Sequence, residues 1–471
     1  MSTMRMSGRA GAAALVLAMF VPAPGRAAVV EIQAGVRVDA WHCPAPGRAP
    51  AKSRPPAEAA EFAPPDPDGL PLPGETEGEP DAGLPPDAGD QSAALPDGPP
   101  AASGRRSIAL WGDSHGAARF LSDALVEALG FSESQVRPAF VPASIGLPGV
   151  RLPLRRTCLG KGWLWQHANQ SQPPRVPLGK GLITMTSEQA GAFFWLDLGV
   201  GEPAAELEAI TLVFSPETAS ERAVVAVSLD DGPERVIALD EHEDGLVELR
   251  PDRPVRVVKL RLLAGRLALE GFRPRYVDPG RVTLDTFGIP GARMRSWKSA
   301  DPVRVRAGGP DERYDLVLLE YGTNEGNDQA FDPAAYEADL RAGLRVFREA
   351  YPAAACVLVG PTDRGVLVPR RARNRARKSS ARPPAVDLLR YARIHQSISR
   401  VQQRVAADHG CRFWNWQDAM GGPGGAYRWF HARPGLMAPD LIHLTAPGYR
   451  ESGRRLAAFI SRQYPLMASQ P

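Results

Sequence analysis

The chain has 471 residues, 44% of them hydrophobic, which leaves room for two or three domains of roughly 100–200 residues and excludes a wholly disordered polymer. The formal net charge is only +3, yet Pro55 to Gly104 holds eleven Asp or Glu and no Lys or Arg, so the remainder is clearly basic. That surplus suits an anionic polymer, or equally an arginine-rich composition that serves no partner. No nucleic-acid partner is expected.

Residues 1–27 read as a secretory signal peptide. Arg5 and Arg9 give a positive start, Ala12–Val21 an apolar stretch, and Gly25-Arg26-Ala27 a small-x-small cleavage site. The apolar stretch is shorter than the ~20 residues that span a bilayer, and no later segment qualifies. The expectation is export to the periplasm or the extracellular space, with no transmembrane span after cleavage. An uncleaved N-terminal anchor is the alternative. Residues 28–105 form an N-terminal segment and linker; from residue 44 onward it is rich in Pro, Ala, Gly and Asp with hardly an aromatic. Such a stretch buries too little apolar surface to offset its ordering entropy, so a disordered linker is predicted.

Order begins at Ser107-Ile108-Ala109-Leu110-Trp111, an apolar run of buried-strand type that ends in Gly112-Asp113-Ser114-His115. A helical pattern follows through Phe120, Leu121, Leu125, Val126 and Leu129. Further strands are predicted at Val282–Thr286, Asp315–Glu320, Ala355–Val359 and Cys411–Trp416, with helices at about 333–350, 386–408 and 446–463. Alternation of this kind implies a parallel sheet with helices on both faces. Between Phe193 and Leu263 the character is different: short β-type runs punctuated by Gly, Pro and Asp, with no long helical period. An inserted β-sandwich is predicted over 176–276, which assigns 106–175 and 277–466 to the α/β domain.

Ser114 stands at a strand-to-helix turn at the carboxyl end of the sheet, where open α/β folds bind ligands. A serine hydroxyl becomes a nucleophile only when a base takes its proton and a third group fixes that base. Asp440-Leu441-Ile442-His443 supplies both, because three residues of separation let one turn present carboxylate and imidazole together. An oxyanion needs preorganised donors. Asn324, in the Tyr321-Gly322-Thr323-Asn324-Glu325 turn, and Gly291, after the Val282 strand, are placed to offer them.

These four blocks, in this order, resemble the SGNH/GDSL hydrolase superfamily. The resemblance implies a three-layer α/β/α fold with Ser114 as nucleophile, His443 as base and Asp440 as its orienting acid. It also implies an oxyanion hole from the Ser114 and Gly291 amides and the Asn324 side chain, with no cofactor and no metal. Two departures matter: the first block reads GDSH and the third GTNE. Both variants, and the β insert, are similar to the peptidoglycan O-acetylesterase branch. That branch removes acetyl from the 6-hydroxyl of N-acetylmuramic acid and carries a carbohydrate-binding-module-like insert. An O-acetyltransferase using the same triad, and a glycan-binding protein with a non-catalytic hydrolase core, are the other readings.

Several residues lie outside that pattern. His115 is expected to be structural rather than a second base, and Glu325 to cap the helix that follows it in preference to touching substrate. Trp163 and Trp165 share a strand face, which suits sugar stacking or packing between domains. No partner is predicted for His167, His242, His395, His409 or His431. Arg370, Arg371, Arg373, Arg375 and Arg377 form a loop that either guides an anionic polymer or is merely solvated. Four cysteines (Cys43, Cys158, Cys356 and Cys411) allow two disulfides in three connectivities, or buried thiols, and carry no metal-site spacing.

Overall fold

The computed structural model describes residues 28–32, 62–63, 105–216, 223–306, 313–369 and 386–467. The signal-like segment 1–27, most of the linker, and Arg370, Arg371, Arg373, Arg375 and Arg377 lie outside the described residues.

The α/β part is built on six strands: β1 (Arg106–Gly112), β2 (Val136–Arg137), β3 (Val282–Gly288), β4 (Leu316–Glu320), β5 (Ala355–Val359) and β6 (Arg412–Trp414). Their order across the sheet is β6-β5-β4-β1-β3-β2, and every neighbouring pair is parallel. Successive side chains of a strand point to opposite faces. Ile108, Leu110, Leu316, Leu318, Val357 and Val359 therefore join one apolar core, with α1 (Ser114–Ala117) leading into α2 (Phe120–Ala128) on that side. Ala109, Trp111, Val317, Leu319 and Leu358 join the opposite core, under α3 (Pro333–Ala350) and α4 (Arg390–Asp408). A sheet buried on both faces is written as continuous apolar runs, which is why β1, β4 and β5 are legible in the sequence.

Two of the three long helices carry their own start signal, while α4 opens after Leu389 without a side-chain cap. Asp332 accepts the Ala334 N–H at 2.9 Å and Pro333 opens α3; α3 then buries Tyr336, Leu340, Leu344 and Phe347, the stripe expected of a helix on a sheet. Thr445 caps α5 (Ala446–Gln463), accepting from Gly448 N–H at 3.3 Å, only two residues after His443. The Asp440–His443 turn is thus fixed by the helix that follows it.

The remaining strands form two sheets that share one apolar core. The first runs in the order 28–32, 246–251, 207–214, 267–276, 183–187, 164–167, and 141–142 pairs with 267–276. The second runs 235–238, 224–229, 257–264, 193–197, 156–159. Phe194 of one sheet and Phe272 of the other meet with ring centroids 5.6 Å apart. The β region therefore begins before the predicted boundary at 176. It also recruits Ala28–Ile32, which pairs in parallel with Leu246–Pro251. Both differences have a physical cause. The strands 156–159 and 164–167 are short and interrupted by basic residues and Gly, and a parallel partner more than two hundred residues away leaves no local signal.

Within the predicted linker, Phe62–Ala63 forms an antiparallel pair with Val368–Pro369. Trp163 is buried in the core shared by the two sheets and donates from Nε1 to the Phe193 carbonyl at 3.1 Å. Trp165 packs against both this core and that of the α/β part, its Nε1 donating to Ile145 O at 3.1 Å. Neither ring is a free sugar platform. Cys356 and Cys411 are joined in a disulfide rather than held as buried thiols, and Cys158 is disulfide-bonded too. No helix among the described residues is long and apolar enough to cross a membrane.

Candidate active site

β1 ends at Gly112, and Ser114 opens α1. The Asp113 carboxylate caps that turn, accepting from His115 N–H at 2.9 Å. Ser114 Oγ lies 3.0 Å from His443 Nε2, and His443 Nδ1 lies 2.8 Å from Asp440 Oδ2. With the proton of neutral imidazole on Nδ1, that nitrogen donates to Asp440 and Nε2 accepts from the serine hydroxyl. Asp440 Oδ1 also accepts the backbone N–H groups of Ile442 and His443, each at 2.9 Å. Leu441 takes a left-handed conformation, φ 57°, to close this turn. The structure thus brings Ser114, Asp440 and His443 together across the whole length of the domain.

The electrostatics of the pair follow from these contacts. Burial works to raise the Asp440 pKa, but the hydrogen bonds from the His443 ring and the two amides outweigh it and bring it to about 2. The same hydrogen bond to Asp440 raises His443 above its ordinary value, against burial. An imidazole poised in this way accepts a proton from serine and keeps it while charge develops on the substrate.

Gly291 is exposed with φ +80°, and no heavy atom stands within 4 Å of where a Cβ would be. Space allows a side chain there; the backbone conformation favours glycine. Asn324 Nδ2 donates to Asp113 Oδ2 at 3.1 Å and to Ala292 O at 3.0 Å. The amide therefore ties the Ser114 turn to the Gly291 loop. The loop is held from two further directions. Glu325 is buried and does not cap a helix: its Oε1 accepts Met294 N–H at 2.8 Å, and burial pushes its carboxyl up to about 7. Asn169, from the loop after strand 164–167, accepts Arg293 N–H at 3.0 Å and also the Ser296 hydroxyl.

Beneath the serine lies a carboxyl that sequence reasoning passed over. Glu320 ends β4, fully buried, and its Oε2 accepts Asp113 N–H at 3.0 Å. A Cβ at position 112 would stand 2.5 Å from that oxygen, so only glycine lets the carboxyl lie under the turn. Two carboxyls in one dry pocket do not both ionise. Burial, then the Asp113 charge, raises Glu320 well above the carboxylate range, while burial lifts Asp113 to about 6. Burial and the neighbouring charge both disfavour an ionised Glu320. Its signal in the sequence is an acid closing an otherwise apolar strand, DLVLLE.

His115 is buried, with Nδ1 3.0 Å from the Tyr449 hydroxyl and its ring centre 5.4 Å from that of His443. Burial, then the His443 charge, lowers it to about 3, so it stays neutral and is no second base. His395 is likewise buried, its Nδ1 2.6 Å from Thr362 O, and burial lowers it to about 4. Among the described residues no group of three or more His, Cys, Asp or Glu is arranged to hold a metal ion.

Residues 260–451 match the GDSL-like lipase/acylhydrolase family. The match covers less than half of the chain. The matched stretch contains Gly291, Asn324, Asp440 and His443; Ser114 lies outside it and is brought to His443 by the geometry above. The chemistry of the chain is that of an esterase. In structure the chain is similar to a solved peptidoglycan O-acetylesterase, with 22% identity, 77% of this chain and 92% of the other covered, and a TM-score of 0.54. That likeness shows a shared fold. Two family-two carbohydrate esterases also align, at TM-scores too low to carry weight. One, from Corynascus thermopiles, has 12% identity, 64% and 98% coverage and a TM-score of 0.26. The other, from Cellvibrio japonicus, has 12% identity, 66% and 98% coverage and a TM-score of 0.25. No curated protein matches the chain by sequence.

Proposed function

We propose that this protein is an exported serine esterase that hydrolyses O-acetyl esters on a cell-envelope glycan, peptidoglycan acetylated at the muramic acid 6-hydroxyl. The observation that carries the reading is the Ser114–His443–Asp440 chain, with contacts of 3.0 and 2.8 Å. Ser114 Oγ adds to the acetyl carbonyl as His443 Nε2 takes its proton. The Asn324 amide and the amides of Gly291 and Ser114 receive the oxyanion. Collapse expels the sugar hydroxyl, which takes the proton from His443 and leaves acetyl-Ser114. Water, deprotonated by His443, then releases acetate and restores the serine.

The glycan reading is supported by the fold shared with a peptidoglycan O-acetylesterase and by the double β-sheet region beside the site, which we assign a carbohydrate-binding role. Export is supported by the signal-like residues 1–27 and by a disulfide at Cys356–Cys411, since disulfides persist in oxidising compartments. The test is acetate release by the purified protein from O-acetylated peptidoglycan and from acetylated xylan. Faster release from peptidoglycan is expected. Equal rates, or release from xylan alone, would remove the substrate assignment and leave the esterase chemistry standing.

A further inference from the structure

β5 leads into a loop at the same sheet edge as Ser114, and this loop is pinned on both sides of Arg364. Asp363 accepts from Gln417 Nε2 at 2.7 Å and from Ala426 N–H at 2.9 Å. Gly365 N–H donates to Leu441 O at 3.1 Å, inside the Asp440–His443 turn itself. Arg364 is thus carried at the rim of the triad, close enough for its charge to act on His443.

Its guanidinium carbon lies 3.9 Å from the ring centroid of Tyr391 at the start of α4, and one of its nitrogens donates to Asn327 Oδ1. Arg390 lies over the same ring at 4.6 Å and donates to the Tyr391 hydroxyl at 3.2 Å. Two cations therefore share one aromatic ring, and like charges brought together cost free energy unless an anion offsets them. Among the described residues neither guanidinium is paired with a carboxylate. Asp387, three residues before Arg390, is paired with Arg393. Asp440, whose charge reaches Arg364, is engaged by His443. The Nε atoms of Arg364 and Arg390 are both buried without a hydrogen-bond partner. Aromatic stacking fixes the guanidinium planes and leaves their edges to donate, the arrangement suited to a planar carboxylate.

We propose that Arg364 and Arg390, held against Tyr391, form a subsite for a carboxylate on the alcohol side of the ester substrate. The subsite selects esters whose alcohol portion is acidic. Only the identity of the natural ligand rests on the glycan reading. In peptidoglycan the carboxylate comes either from the lactyl group of the acetylated sugar or from the attached peptide.

The test uses the full-length protein and a matched pair of acetate esters, para-acetoxyphenylpropionate and its neutral amide. The readout is the ratio of kcat/KM for the charged over the neutral ester. For wild type the ratio should exceed unity and fall as salt rises, because ions screen the longer-range attraction that draws the charged ester to the rim. In R364Q/R390Q it should fall roughly tenfold, as for loss of a charge-assisted hydrogen bond, with the change in KM. R390Q alone should fall by less, and R364K/R390K should keep part of the preference. A wild-type ratio at or below unity, or a ratio unmoved by the Gln variants, would overturn the subsite, and equal losses on both esters would reduce the arginines to structural roles. Acetate release from O-acetylated strands with peptides and from amidase-trimmed strands identifies the source. Trimmed strands expose lactyl carboxylates, and intact strands carry peptide carboxylates. If neither strand is a substrate while the ester ratio behaves as expected, the glycan reading fails and the subsite stands.

Discussion

In the proposed mechanism Ser114 attacks only while His443 is neutral, and Asp440 makes that harder to keep as pH falls. The Asp440 hydrogen bond stabilises imidazolium and so raises the His443 pKa above the ordinary imidazole value of about 6.5. The sign follows: below the raised value His443 holds a proton and takes none from the serine, so activity is lost on the acid side. The acid limb of kcat/KM for a neutral activated ester should have its midpoint above that ordinary value. In Asp440→Asn the charge that holds the proton is gone, and the midpoint should move to lower pH even as kcat drops. A pH–rate profile with the same midpoint in both proteins would show that another group governs the limb. Ser114, Asp440 and His443 were legible from residue type, order and spacing. Glu320 was not singled out, because a carboxyl at the end of an apolar run reads equally as the first solvated residue after a strand. Only the fold shows it fully buried and accepting the Asp113 amide.

Among the elements, β5 and β6 are joined twice, by the parallel ladder Val357–Val359 with Arg412–Trp414 and by the Cys356–Cys411 disulfide. The bridge closes a loop of 55 residues that contains Arg364, α4 and the basic 370–382 segment. Closing a loop of that length restricts the unfolded chain and contributes about 2–4 kcal/mol. Replacing both cysteines by alanine should lower the urea midpoint and slightly steepen the transition, because the unlinked denatured chain exposes more surface. An unchanged midpoint would mean that strand pairing alone fixes the edge. Five of the six parallel strands were readable as strand-like runs and the three long helices as amphipathic patterns, while the two-residue strand Val136–Arg137 was not. The pairing of these cysteines was not, since spacing alone leaves three connectivities open. Ala28–Ile32 was missed because its partner strand is remote in sequence, and 156–159 because its alternation is short; the strand at Trp163 and Trp165 was read but left out of the β region.

At the scale of the whole molecule, the β sheets are not a detached appendage. Val141–Pro142 pairs with the 267–276 strand, Trp165 packs on both cores, and Asn169 grips the loop that carries Gly291. The region that we assign to glycan binding therefore also supports the proposed oxyanion loop. The central claim remains chemical: one serine, activated across 329 residues of chain, carries the acyl group. The most direct measurement treats the folded protein with a serine-directed fluorophosphonate and maps the modified peptide by mass spectrometry. Acetyl-ester hydrolysis by Ser114→Ala is assayed beside it. The account predicts a single modified residue, Ser114, labelled far more slowly in His443→Ala, and a loss of at least ~10³-fold in kcat for Ser114→Ala. A label on a different serine, or a folded Ser114→Ala protein that keeps most of its activity, would contradict it.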